Sequence, residues 1–205
     1  MKRALHVVRA LWTLRRLSWS ADQAAQLVEF AVSLPLLVVF VVGIFDFSGA
    51  FTLKQKLTNV ARDAARAAAA DPSGDLSSSS PIAVNDAFQI IHNYFAGNQL
   101  NDCGITQSTS PSNLKWTSTG TGNGCPSGGL RIIINRGYYF PLTGGTPPTV
   151  DCTSQAAGTG VGTLIGTCVS IRYAYPWRFG RAASLLGRST NLPDISAVGV
   201  ALNEN

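Results

Sequence analysis

Residues 24–70 read AAQLVEFAVSLPLLVVFVVGIFDFSGAFTLKQKLTNVARDAARAAAA, and this stretch decides the fold. From Phe30 to Leu53 the only charged residue is Asp46. The run is long enough to cross a bilayer, which takes about 20 apolar residues. Beyond Leu53 the pattern changes rather than stops. Leu53, Leu57, Val60, Ala61, Ala64, Ala65 and Ala68 recur at helical spacing, with Lys54, Lys56, Arg62 and Arg66 between them, the mark of a helix with one apolar stripe. Apart from Pro35, no turn signal intervenes before Asp71-Pro72. The spacing predicts one continuous helix of about 65–70 Å, given the rise per residue of an α-helix. Its first half suits lipid; its second half projects and needs a protein cover.

Charge sets the expected orientation. The net charge is +5 over 205 residues, but residues 1–23 alone carry Lys2, Arg3, Arg9, Arg15 and Arg16 against Asp22, a net +4. The remaining body is close to neutral, which argues against a nucleic-acid surface, since that requires clustered positive charge. Basic residues flanking a membrane helix stay in the cytoplasm. The N-terminus is therefore expected inside, with residues 54–205 periplasmic or extracellular and the chain single-pass in the inner (cytoplasmic) membrane. The leader itself, with Leu5, Val8, Leu11, Trp12, Leu14 and Leu17 among its arginines, reads equally as an amphipathic helix on anionic lipid or as an unstructured basic tail. A secretory signal cut at the alanines 67–70 is rejected, because a signal's apolar core is only ~7–15 residues with its cleavage site just beyond.

Two acids interrupt the apolar run. Glu29 stands at its cytoplasmic edge, and Asp46 lies about 25 Å further along a helix axis, near the outer interface. A carboxylate in lipid costs on the order of 2.5–3.5 kcal/mol and tends to mark function; a headgroup-level acid favoured by the helix dipole is the plainer account of Glu29. Gly43 and Gly49 are not spaced as GxxxG and give only a weak packing signal.

The ordered set Val28-Glu29-Phe30, Leu34-Pro35-Leu36, Asp46-Phe47 and Asn59-Val60-Ala61-Arg62-Asp63-Ala64-Ala65-Arg66 resembles the N-terminal signature of TadE-like pseudopilins of the tight-adherence (Flp-type) pilus machinery. The closing segments VSIRYAYPW (169–177) and ISAVGVAL (195–202) are a fainter echo of the same family. The resemblance implies a bacterial, non-enzymatic, membrane-anchored minor pseudopilin of a pilus or related secretion system. Its implied partners are other pilin or pseudopilin subunits, the pilus assembly platform, membrane lipid and a prepilin peptidase, with no cofactor. It implies a candidate cleavage between Ala24 and Ala25, although Ala24 stands where family leaders usually carry glycine. It also implies that Glu29 pairs with a neighbour's freed amine as a registry device; Asp46, Arg62 and Arg66 read as structural or interface groups. The competing expectation is a receptor-like or binding ectodomain on a permanent anchor.

The remainder reads as a linker over 71–80 and an exported α+β domain over 81–205. Ser80 as N-cap with Pro81 at the first helical position, and a stripe Ala83, Val84, Ala87, Phe88, Ile91, Tyr94 and Phe95, predict a second helix over 81–96. Strands are expected at Leu114–Ser118, Leu130–Asn135, Tyr138–Leu142, Val169–Tyr175 and Ile195–Leu202, the second and third joined as a hairpin through Asn135-Arg136-Gly137. They would form a small antiparallel sheet with both helices on one face, and residues 143–167 would be a long stapled loop. Cys103, Cys125, Cys152 and Cys168 all follow the apolar run, and an even count in an exported domain reads as two disulfides. Three pairings are open; the short local loops Cys103–Cys125 and Cys152–Cys168 are preferred over the others, and over free thiols or a zinc site.

Catalytic patterns are missing from the sequence. There is no G-x-S-x-G, HExxH, Walker loop or dinucleotide fingerprint, and His6 and His92 are the two histidines. His92 reads as a surface or packing residue, and Gly158-Thr159-Gly160-Val161-Gly162 as a flexible loop. Trp177, Arg178, Arg181 and Arg188 form the best surface-binding candidate, toward anionic lipid or a partner subunit.

Overall fold

A single α-helix, α1, runs from Ala21 to Ala70, straight through Pro35. In the computed structural model the described residues are 21–72, 74, 76–126, 128–142, 146–154, 162–178 and 193–204. The expected leader conformation, residues 158–161 of the 158–162 glycine loop, Arg181 and Arg188 lie outside them. The chain divides into two units, Met1–Asp46 and Phe47–Asn205. The described part of the first is helix. Ser33 Oγ there donates to the Phe30 carbonyl at 3.3 Å, the local back-bond that hydroxyls make within helices.

In the second unit, α1 turns one stripe inward. Leu53, Leu57, Val60, Ala61, Ala64, Ala65 and Ala68 are all buried, the same seven residues the spacing selects. Fully burying Leu57 or Val60 is worth ~1.5–3 kcal/mol each; the alanines contribute less by area and more by letting other backbone approach. Helix α2 spans Ile82–Gly97 and buries Ala83, Val84, Ala87, Phe88, Ile91 and Phe95. Its N-cap is Pro81, not Ser80, and no side chain caps it. The N–H groups of Val84 and Asn85 donate to the Pro81 carbonyl at 3.1 and 3.0 Å, which opens the helical ladder at Pro81, so the helix starts one residue later than its sequence suggests.

Four strands, β1 (Lys115–Gly120), β2 (Leu130–Pro141), β3 (Thr163–Tyr173) and β4 (Ile195–Leu202), form an antiparallel sheet in that order. Strand alternation separates two faces. On one, Trp116, Leu130, Ile132, Ile134, Val169, Ile171, Tyr173, Ile195 and Ala197 share a core with both helices. On the other, Ile133, Tyr138, Cys152, Cys168 and Val198 form a smaller cluster under the segment 146–154. That strap is held by Asn135 Nδ2 donating to the Cys152 carbonyl at 2.8 Å and by Arg131 on Asp151 at 3.3 Å. The Cys152–Cys168 disulfide ties it down, Cα to Cα 5.7 Å. Cys103–Cys125, Cα to Cα 5.0 Å, joins the segment after α2 to the β1–β2 turn.

The sheet overturns two expectations. Asn135-Arg136-Gly137 is not a hairpin turn; β2 is one strand with a bulge, where pairing passes from Asn135↔Cys168 to Tyr138↔Gly166. Two β2 residues oppose one on β3, which restores Tyr138 to the strap face. The physical reason is Arg136. Its side chain is 1% exposed and donates through Nη1 to the Ala68 carbonyl, to Thr167 Oγ1 at 2.9 Å and to Asn203 Oδ1 at 3.2 Å. Nη2 donates to the Asp71 carbonyl at 3.0 Å. The C-terminal carbonyls of a helix lack intrahelical donors and carry partial negative charge; a guanidinium from β2 caps them from across the fold. The second correction is β3, which begins at Thr163 instead of Val169, because the outer half of β2 gives residues 163–166 a partner.

β4 closes the packing against α1. A Cβ built on Gly199 would collide with the backbone of Ala61 and Arg62, so strand and helix touch main chain to main chain. Lys54 Nζ donates to the Ser196 carbonyl, and the Glu204 N–H donates to the Ala69 carbonyl at 3.0 Å.

Candidate functional site

The largest chemically distinctive surface is on α1. From Leu27 to Phe51, large apolar side chains stand exposed, among them Val28, Phe30, Val32, Leu36, Leu37, Phe40, Ile44, Phe47 and Phe51. Exposed apolar area on that scale marks an interface with lipid or protein rather than ordinary surface. By length and composition this is a helix able to cross a membrane. Glu29 lies in this run, exposed, with no ion-pair partner among the described residues. Ala24 and Ala25 are within the helix near its start.

Asp46, the last residue of the first unit, is only 2% exposed. Arg62 and Arg66 project from the solvent face of α1 with Gln55, Asn59 and Asp63, opposite the buried stripe. Arg66 reaches Asp63 at 3.8 Å with both side chains mostly in water, an arrangement worth well under 1 kcal/mol in most proteins. Glu29, Asp46 and the two arginines are thus strung along one helix and are not gathered into a cluster.

Residues 24–66 match a family model, that of TadE-like protein. The segment is TadE-like. No curated protein and no solved structure matches the chain. The TadE-like segment ends four residues before α1 does, so it takes in the whole exposed apolar run and most of the buried stripe.

Beyond the TadE-like segment, Trp177 packs edge-on against Phe47 at 5.8 Å and against Tyr175 at 4.9 Å, while Nε1 donates to the Pro193 carbonyl at 3.2 Å. Arg178 beside it is exposed. His92 is half-buried, stacked on Phe88 and 3.7 Å from Asp102, a packing position. Tyr173 is pushed above its ordinary value by burial, partly offset by a hydrogen bond with the Asn101 backbone. Reading the sequence alone misses Arg136, the one buried arginine of the described core; the signal was a lone charge inside the apolar run IIINRGYYF.

Proposed function

We propose that this chain is a structural, membrane-anchored minor pseudopilin of a tight-adherence type pilus or a related secretion apparatus. The observation that carries this reading is the TadE-like segment coinciding with an exposed, membrane-length apolar helix. The basic leader supports a cytoplasmic N-terminus, with the disulfide-bearing body in an oxidising compartment outside the inner membrane. The anchor associates with other pilin subunits through its lipid-facing residues, and the folded body is presented to the assembly platform.

Glu29 is the registry element in this proposal. Its uncompensated carboxylate within an apolar run is costly, and a neighbour's amine, freed by peptidase cleavage between Ala24 and Ala25, neutralises it only when the subunits are in step. Glu29→Ala should leave membrane insertion intact while reducing co-purification of pilin subunits with the chain. Undiminished co-purification sinks the registry role. Mass spectrometry of the membrane-extracted protein tests the cleavage, and an intact leader on a monomeric chain turns the reading toward a permanently anchored ectodomain.

A further inference from the structure

We infer that the folded unit carries its own bilayer-surface anchor, an aromatic corner of Phe47, Tyr175 and Trp177 flanked by Arg178, which seats among the lipid headgroups. This rests on the membrane reading above and adds to it a fixed depth.

Three observations converge on lipid as the occupant. First, the corner is amphipathic in the way interfacial residues are: Trp177 stands edge-on between Phe47 and Tyr175, while the Phe47 and Phe51 rings remain 67% and 69% exposed. Tryptophan and tyrosine concentrate at the membrane–water boundary because the ring prefers the apolar side and the polar atoms the wet side. Second, Arg178 is exposed next to the rings, and a long basic side chain lays its aliphatic stem along apolar surface while its charged head stays at the level of the lipid headgroups. Third, the lengths agree. From Leu27, where the exposed apolar residues begin, to Phe47 an α-helix rises about 30 Å, and the hydrocarbon core of a bilayer is about 30 Å thick. With Leu27 at one boundary, Phe47 arrives at the other, bringing Trp177 with it. The Trp177 indole, tethered to the Pro193 carbonyl, then acts as a stop that prevents the helix from sinking further.

The test uses the full chain carrying Trp12→Phe and Trp19→Phe, reconstituted in vesicles of equal parts phosphatidylcholine and phosphatidylglycerol. Trp116 is buried in the core and serves as the constant background, removed by subtracting the same chain with Trp177→Phe. Flotation of the vesicles comes first, then quenching by lipids brominated near the headgroup, by lipids brominated deep in the chains, and by aqueous iodide. The expected result is loss of Trp177 emission to shallow bromine, with little loss to deep bromine or iodide. If the chain floats but Trp177 is quenched by iodide alone, the corner faces water and the inference fails while the anchor stands. If neither bromine nor iodide reaches it until the vesicles are diluted in lipid, a second copy covers the corner and the inference again fails. A chain that does not float overturns the anchor and the inference together.

Discussion

Arg136→Ala should cost the folded unit about 3–5 kcal/mol, because it removes several buried charge-assisted hydrogen bonds at once and leaves their neutral acceptors short of donors. The guanidinium supplies donors to the Ala68 and Asp71 carbonyls, Thr167 Oγ1 and Asn203 Oδ1. Hydrogen bonds to a charged group are worth about 1.5–3 kcal/mol each, so a simple total would overshoot. Thr167 also bonds Asn203 Oδ1 at 2.7 Å, and that pair survives the substitution. The helix carbonyls recover some solvation as the site opens, which brings the cost down into the range given. For a unit of this size the loss corresponds to about 6–20 °C in Tm. Near-ultraviolet circular dichroism of the full chain in detergent follows it, since Trp116 and Tyr138 are buried on opposite faces. Arg136→Lys keeps the charge but not the planar fork and should recover only part of the loss. If Arg136→Ala melts within about 2 °C of the parent, a loss of about 1 kcal/mol at most, the guanidinium does not cap α1 and the explanation of the bulge goes with it.

Two other substitutions test separate parts of the packing. Gly199→Ala places a methyl against the Ala61 and Arg62 backbone, which cannot rotate away; about 1–3 kcal/mol of destabilisation is expected from overpacking, and an unchanged urea midpoint would show that α1 and β4 do not touch there. Tyr173 has its phenol raised above 10.0, chiefly by burial, so folding favours the protonated form. Its stability contribution is complete below that pH and declines as pH climbs through the higher folded value. Urea midpoints measured across this alkaline range should fall more steeply in the parent than in Tyr173→Phe, and parallel curves would contradict the assignment.

Much of the fold was legible because it is periodic. The helical repeat of Leu53, Leu57, Val60 and the alanines names the buried side of α1 without any tertiary information, and Ile195–Leu202 stands as the sequence reads it. What failed locally was decided by distant partners. Asn135-Arg136-Gly137 has turn chemistry, yet the unsatisfied carbonyls ending α1 draw Arg136 into a continuous strand. Thr163–Gly166 has little apolar content and becomes strand because β2 is already extended beside it. Ser80 is a good cap by composition and is passed over by one residue. For the candidate site, the exposed run around Glu29 was legible from hydropathy alone, whereas the edge-on contact of Trp177 with Phe47 joins residues far apart in sequence and carries no local signal.

The way β4 lies on α1 has a bearing on how the body is made. Among the described elements, the strand that meets Ala61 comes last in the chain and the helix it meets comes first. Until Ile195–Leu202 emerges, the alanine ridge has no partner at Gly199 and Arg136 lacks Asn203. Pairings between such remote segments form slowly, so the ridge stays bare until β4, more than a hundred residues further along, has been made.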